Sequence, residues 1–215
     1  MKGLLLKDFY MITKYCKSIF IIVAVFMLAG VSNPTSYFYT IYPVIVASII
    51  PMTIMSYDER FKWNLYCDCM PFSRKKAVAS KYILMLLIIS ITIILISITQ
   101  VISQIKNSTF ELTSYITLIT SSFSMTIIAQ SFILPIIFKL GVEKGRIAYF
   151  IIIGIMCGGG IAAYTIFNEE TTIKLNIISN ISSYITSPII ILLVSAILFV
   201  CSFLLSARFY KNREL

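Results

Sequence analysis

Residues 82–105 read YILMLLIISITIILISITQVISQI, twenty-four positions without a charged side chain. A helix needs about 20 predominantly apolar residues to cross a hydrocarbon core of about 30 Å. It also satisfies its own backbone polar groups in lipid, which an open sheet does not. This stretch therefore reads as a transmembrane helix. The same test finds five further candidates, at about 18–33, 38–56, 114–138, 147–167 and 184–207. The expected fold is an all-α membrane protein of six transmembrane helices, one transmembrane domain spanning residues 1–215.

Composition agrees. Of the chain, 59% is hydrophobic and 13% charged, whereas a soluble domain carries about 25% charged residues. The first span is the shortest, with 15 residues between Lys17 and Asn33. A Lys-rich start before a short apolar run also resembles a signal peptide. A second apolar segment follows across Asn33-Pro34 with no A-x-A site before it, so a retained helix in a tight hairpin is expected.

Basic residues orient the spans. Four lie near the N-terminus (Lys2, Lys7, Lys14, Lys17), six between spans two and three (Arg60, Lys62, Arg74, Lys75, Lys76, Lys81), three between spans four and five (Lys139, Lys144, Arg146) and three near the C-terminus (Arg208, Lys211, Arg213). Only Lys106 and Lys174 fall on the other side. Both termini are therefore expected in the cytoplasm of a multi-pass cell-membrane protein. The net charge of +9 then reports topology and attraction to anionic lipid headgroups, and a nucleic-acid partner is not needed to explain it.

Missing residues exclude several functions. Without histidine in this chain, Ser-His-Asp triads, Cys-His dyads, His-ligated zinc and His-ligated haem have no basis. No GxxxxGK[ST] segment is present, so ATP-driven work would need a partner. The five cysteines, scattered and odd in number, do not form a disulfide framework. Cys67-x-Cys69 lacks a second ligand pair and reads as ordinary thiols. No acidic residue falls within a span, whereas ion-coupled carriers usually keep an ionisable group at membrane depth. The same absence weighs against an intramembrane enzyme.

Small polar residues form stripes. In the fourth span Thr113, Thr117, Thr120, Ser124 and Ser131 fall within about 60° of one another around the helix, and the third carries Ser90, Ser97, Gln100 and Gln104. Such stripes serve interhelical hydrogen bonds or line a substrate path. In the fifth span Gly154, Gly158 and Ala162 recur at four-residue steps. They suit close helix packing, with a hinge at Gly158-Gly159-Gly160 as the alternative.

Two segments lie outside the spans on the basic side. Residues 1–17 alternate lysines with Leu4, Leu5, Leu6, Phe9, Met11 and Ile12, the pattern of an N-terminal amphipathic helix in the membrane interface. Residues 57–81 hold the only Trp, Trp63, and the densest charge, and Pro71 divides them. Ahead of Pro71, the four-residue spacing of Phe61, Leu65 and Cys69 suits a short helix lying against the bundle. Beyond it, Ser73 is a natural N-cap for a helix running into the third span. A charged, aromatic-bearing loop of this kind either anchors the chain at the headgroups or docks onto a soluble protein.

The run SYDERFKWNLYCDCMPFSRKKAVASKY (56–82), with the start MKGLLLKDFY, resembles the permease subunits of type-2 ABC exporters, in their small six-span Gram-positive branch. Cys67-Asp68-Cys69-Met70 stands where that branch has an apolar approach to the proline. The resemblance implies two permeases, identical or homologous, working with two separate cytoplasmic ATPase subunits. The segment from Tyr57 to Met70 would be the coupling helix, with Tyr57, Asp58, Glu59, Arg60, Lys62, Trp63 and Tyr66 at the contact. ATP and magnesium would bind the ATPase, leaving this chain without a cofactor and non-catalytic. Relatives export amphipathic peptides such as phenol-soluble modulins, or give immunity to peptide antibiotics. The competing expectations are a substrate-capturing six-span subunit of a vitamin importer and a stand-alone peptide-immunity protein. Short outer loops without an aromatic cluster speak against the vitamin pocket.

Overall fold

The charge-free runs form helices whose ends are set by proline, glycine and charge. The computed structural model describes residues 2–32, 38–69, 73–106, 112–168 and 188–211. These hold α1 (Lys2–Tyr15), α2 (Lys17–Ser32), α3 (Phe38–Ala47), α4 (Ile49–Arg60), α5 (Trp63–Cys69), α6 (Arg74–Lys106), α7 (Leu112–Leu140), α8 (Val142–Asn168) and α9 (Pro188–Lys211). No strand occurs among the described residues. The expected turns at Asn33-Pro34 and Pro71, and the outer segment with Glu169, Glu170 and Lys174, lie outside them.

Four stretches are long and apolar enough to cross a membrane: Phe38–Arg60, Arg74–Lys106, Tyr115–Leu140 and Ile190–Lys211. A fifth follows if α1 and α2, bent by 71° at their junction, count as one broken span. Cys16 makes that bend; its N–H still donates to Ile12 O at 2.9 Å while its own carbonyl starts α2. α8 has 27 residues, Glu143 in its first turn and Lys144 and Arg146 close behind.

The helix expected to be the third span reaches further than its apolar run. α6 begins directly after Ser73, whose carbonyl accepts from Lys76 and Ala77, and its 33 residues extend about 50 Å at 1.5 Å per residue. The expected second span differs in two ways: its helix continues to Arg60, and it is broken at Ser48. Pro51 has no N–H to give the carbonyl one turn earlier. Lys62 then takes a left-handed conformation (φ 52°) that separates α4 from α5. At the α7–α8 turn the left-handed position goes to Gly141 (φ 88°), whose N–H donates to Ile137 O at 2.9 Å. Four residues on, a Cβ at Gly145 would lie 2.5 Å from Ile137, so this close approach requires glycine.

Two apolar cores flank a wall made by α4 and α6. Ile12, Val23, Met27, Val44, Ile50, Ile54, Leu84 and Ile88 fill one, joining α1, α2 and α3 to the wall. Met52, Met55, Tyr82, Met85, Ile133, Ile137, Tyr149 and Tyr210 fill the other, joining α7, α8 and α9. Outward faces of α6 and α9 are apolar too, through Leu87, Ile91, Ile94, Ile98, Leu193, Ile197 and Leu204. Lipid covers such faces without penalty, whereas exposed apolar patches this long are rare on soluble monomers.

Candidate functional site

The densest polar chemistry gathers where α1, α4, α5 and α6 meet. Asp8 is buried on the face of α1 that also buries Leu4 and Ile12, each one turn apart. Asp58, in the last turn of α4, is 5% exposed. Between the two carboxylates lie two lysines. Lys7 Nζ donates to Asp58 Oδ1 at 2.6 Å and stands 3.1 Å from Asp8 Oδ1. Lys81 Nζ, two turns into α6, donates to Asp58 Oδ2 at 2.5 Å and to both oxygens of Asp8 at 2.8 and 2.9 Å. Two positive and two negative groups cancel, which is how proteins accommodate buried charge.

Neighbouring contacts tie the same end together. Lys7 Nζ sits 4.2 Å above the centre of the Trp63 ring, linking α1 to α5. Glu59 Oε2 accepts from Val142 N at 3.0 Å, placing a carboxylate at the positive end of the α8 dipole. Arg74 Nη1 donates to Lys211 O at 3.2 Å, capping the opposite pole of α9. Tyr57 stacks on Tyr15 with ring centres 4.2 Å apart.

The residues expected at a coupling contact therefore divide. Asp58 faces inward and Glu59 is engaged with α8, while Tyr57 and Trp63 are half-buried against α1. Arg60, Lys62 and Tyr66 are exposed, together with Phe61 and Leu65. Phe61, Leu65 and Cys69 were expected to lie against the bundle; all three are exposed, Phe61 still stacking on Tyr57 at 6.3 Å, and Trp63 and Cys67 make the inward face. Cys67 is buried and Cys69 exposed, so the pair does not converge on a metal. Among the described residues no group of three His, Cys, Asp or Glu side chains is placed to hold one.

Residues 3–211 match the model of the ABC-2 family transporter proteins. The chain belongs to the ABC-2 family. No curated protein and no solved structure matches it significantly. An ABC-2 chain is the membrane permease component of an ABC transporter, a multi-pass protein working with an ABC ATPase.

Within the ABC-2 bundle a second polar locus surrounds the break at Ser48. Gln130 of α7 donates to Ser48 O at 2.7 Å. Tyr149 of α8 donates to Ile45 O at 2.8 Å and hydrogen-bonds Ser48 Oγ at 2.7 Å. Side chains of two other helices thus occupy the carbonyls around the break, as lipid requires of a broken helix. Elsewhere Tyr82 OH meets Ser202 and Ser206, each at 2.7 Å, joining α6 to α9.

The expected stripes are only partly the groups that join helices. Ser124 donates to Thr120 O at 2.8 Å and Ser131 to Ile127 O at 2.7 Å, both within α7. Ser97 likewise returns to Ile94 O, and Ser90 and Thr117 are exposed. Gln100 does cross, donating to Thr40 Oγ1 at 2.6 Å; Gln104 and Thr120 are half-buried. The side chains of Thr113 and Ala162 lie outside the described set. Gly154 and Gly158 are exposed, and a Cβ on either would meet nothing within 4 Å. Among the described residues, therefore, no neighbour packs closely on Gly154 or Gly158.

Proposed function

We propose that this ABC-2 permease is the membrane subunit of an ATP-driven exporter that moves hydrophobic or amphipathic peptides out of the cell. Six spans, built on α2, α3–α4, α6, α7, α8 and α9, place both termini in the cytoplasm. The sixteen-to-two division of basic residues supports that orientation. Two such permeases, identical or homologous, pair in the complex. ATP and magnesium reside in the separate ATPase.

One observation carries the coupling assignment: α5 turns Trp63 and Cys67 inward and leaves Phe61, Leu65 and Tyr66 exposed beside Arg60 and Lys62. Two exposed aromatic rings and a leucine flanked by two cations fit a soluble partner with an acidic, partly apolar cleft. Docking therefore rests on Arg60, Lys62 and Tyr66, with Tyr57, Asp58, Glu59 and Trp63 holding that face from behind.

Mild-detergent purification from the native host tests this reading. A stoichiometric ATPase bearing a phosphate-binding loop is expected to co-purify. Tyr66→Ala with Leu65→Ala should lose most of it while inserting normally. Absence of any ATPase, or full retention by the double variant, overturns the assignment.

A further inference from the structure

We infer that the quartet of Lys7, Asp8, Asp58 and Lys81, two buried carboxylates bridged by two half-buried lysines, is the joint through which displacement of α5 reaches α1 and α6. Its members act as positioning residues in the transport cycle. The inference rests on the proposed docking of α5 to the ATPase and adds how that movement enters the bundle.

The quartet joins three segments distant in sequence, with 51 positions between Lys7 and Asp58 and 73 between Asp8 and Lys81. Each lysine touches both carboxylates: Lys7 lies 2.6 Å from Asp58 and 3.1 Å from Asp8, and Lys81 lies 2.5 Å from Asp58 and 2.8 Å from Asp8. Sliding one helix alone would separate opposite charges at a part-buried site, where their attraction is stronger than in water. Moving the three helices together leaves the pairs intact.

α5 reaches this joint by two routes. The first is covalent, through Lys62 and the last turn of α4 to Asp58. The other is the Trp63 ring beneath Lys7, 4.2 Å from the ammonium. A push on the exposed face of α5 therefore bears on α1 from one side and on α6, through Lys81, from the other. Since α4 and α6 form the wall between the two cores, a shift of that wall changes both halves of the bundle. A cluster serving only to anchor α1 would not need α5 in contact with it.

The test uses the permease purified with its ATPase in lipid nanodiscs. Backbone hydrogen exchange is followed by mass spectrometry, with and without ATP plus vanadate. Asp58→Asn alone leaves one lysine charge without a counter-charge, so Lys7→Met is combined with it. The pair removes one positive and one negative group, takes away the charged contacts through which both routes leave Asp58 and Trp63, and keeps Asp8 bonded to Lys81. In the unaltered complex, nucleotide should change exchange in α5, in α1 and in the first turns of α6. The paired variant should keep the α5 response and lose those of α1 and α6. Lys14→Met, which removes a cation on α1 outside the quartet, should keep all three. Persistence of the α1 and α6 responses in the paired variant overturns the joint. An α5 that does not respond to nucleotide in the unaltered complex overturns the docking itself, and the joint with it.

Discussion

The two polar centres of this permease solve the same problem with different chemistry. Where α1, α4 and α6 meet, four full charges neutralise one another. At the Ser48 break, between Pro43 and Pro51, an amide and two hydroxyls do the work without any charge. Charge is costly at membrane depth and tolerable near its edge. The first centre sits near Arg60 and Lys62 at the α4–α5 junction; the second lies inside an apolar span. Losing a partner should therefore hurt most where charge is left unmatched and much less where a neutral donor disappears.

Asp58→Asn tests the charged centre and should have the largest effect. It leaves Lys7 and Lys81 sharing Asp8 alone, and breaking a buried ion pair from one side costs about 3–5 kcal/mol. Because the Lys7 side chain is 22% exposed, the lower end of that range is expected. Thermal unfolding of purified protein should show a clear drop in Tm, and adding Lys7→Met should recover more than half of it. Equal damage from single and paired variants would mean that packing, rather than charge balance, holds this centre.

Gln130→Leu tests the neutral centre. It removes the donor to Ser48 O but keeps a side chain of similar volume inside α7. Interhelical hydrogen bonds of this type contribute about 0.6–2 kcal/mol in membranes. A Tm decrease well below that of Asp58→Asn is expected, with unchanged membrane insertion. A loss as large as that of Asp58→Asn would show that the break, and not the ion quartet, is the keystone of the bundle.

What was legible beforehand follows the same division. Four of the expected spans could be read because a long apolar run has one stable form in lipid, and α6 begins directly after Ser73, where the expected N-cap placed its start. The break at Ser48 carried a signal that the span search passed over: Pro51 removes the N–H that would serve the carbonyl one turn back. Asp58 was expected to face a partner because its ligands, Lys7 and Lys81, lie 51 and 23 positions away, beyond any local pattern. The inward face of α5 was misjudged for a different reason. Apolar spacing implies a buried face in water, but next to a membrane or a partner protein Phe61 and Leu65 can point outward, and Lys62's left-handed turn decides which face the bundle receives. Serines on α7 misled because a hydroxyl can return to its own helix one turn back, as Ser124 and Ser131 do.

Gly154→Ala probes a face away from both centres and should have the smallest effect. The sequence motif predicts a close helix contact at Gly154, where an added methyl would clash and destabilise. The structure instead leaves this position exposed, with nothing within 4 Å of a Cβ. In an uncrowded helix, replacing glycine by alanine stabilises by up to about 1 kcal/mol through lower backbone entropy in the unfolded chain. The Tm of the isolated chain should therefore hold or rise slightly. A fall would mean that α8 is pressed against another helix of the same copy at this point, reversing the placement of its glycine face. If the isolated chain is unaffected and only the complex with a second permease loses stability, that face belongs to the pairing surface.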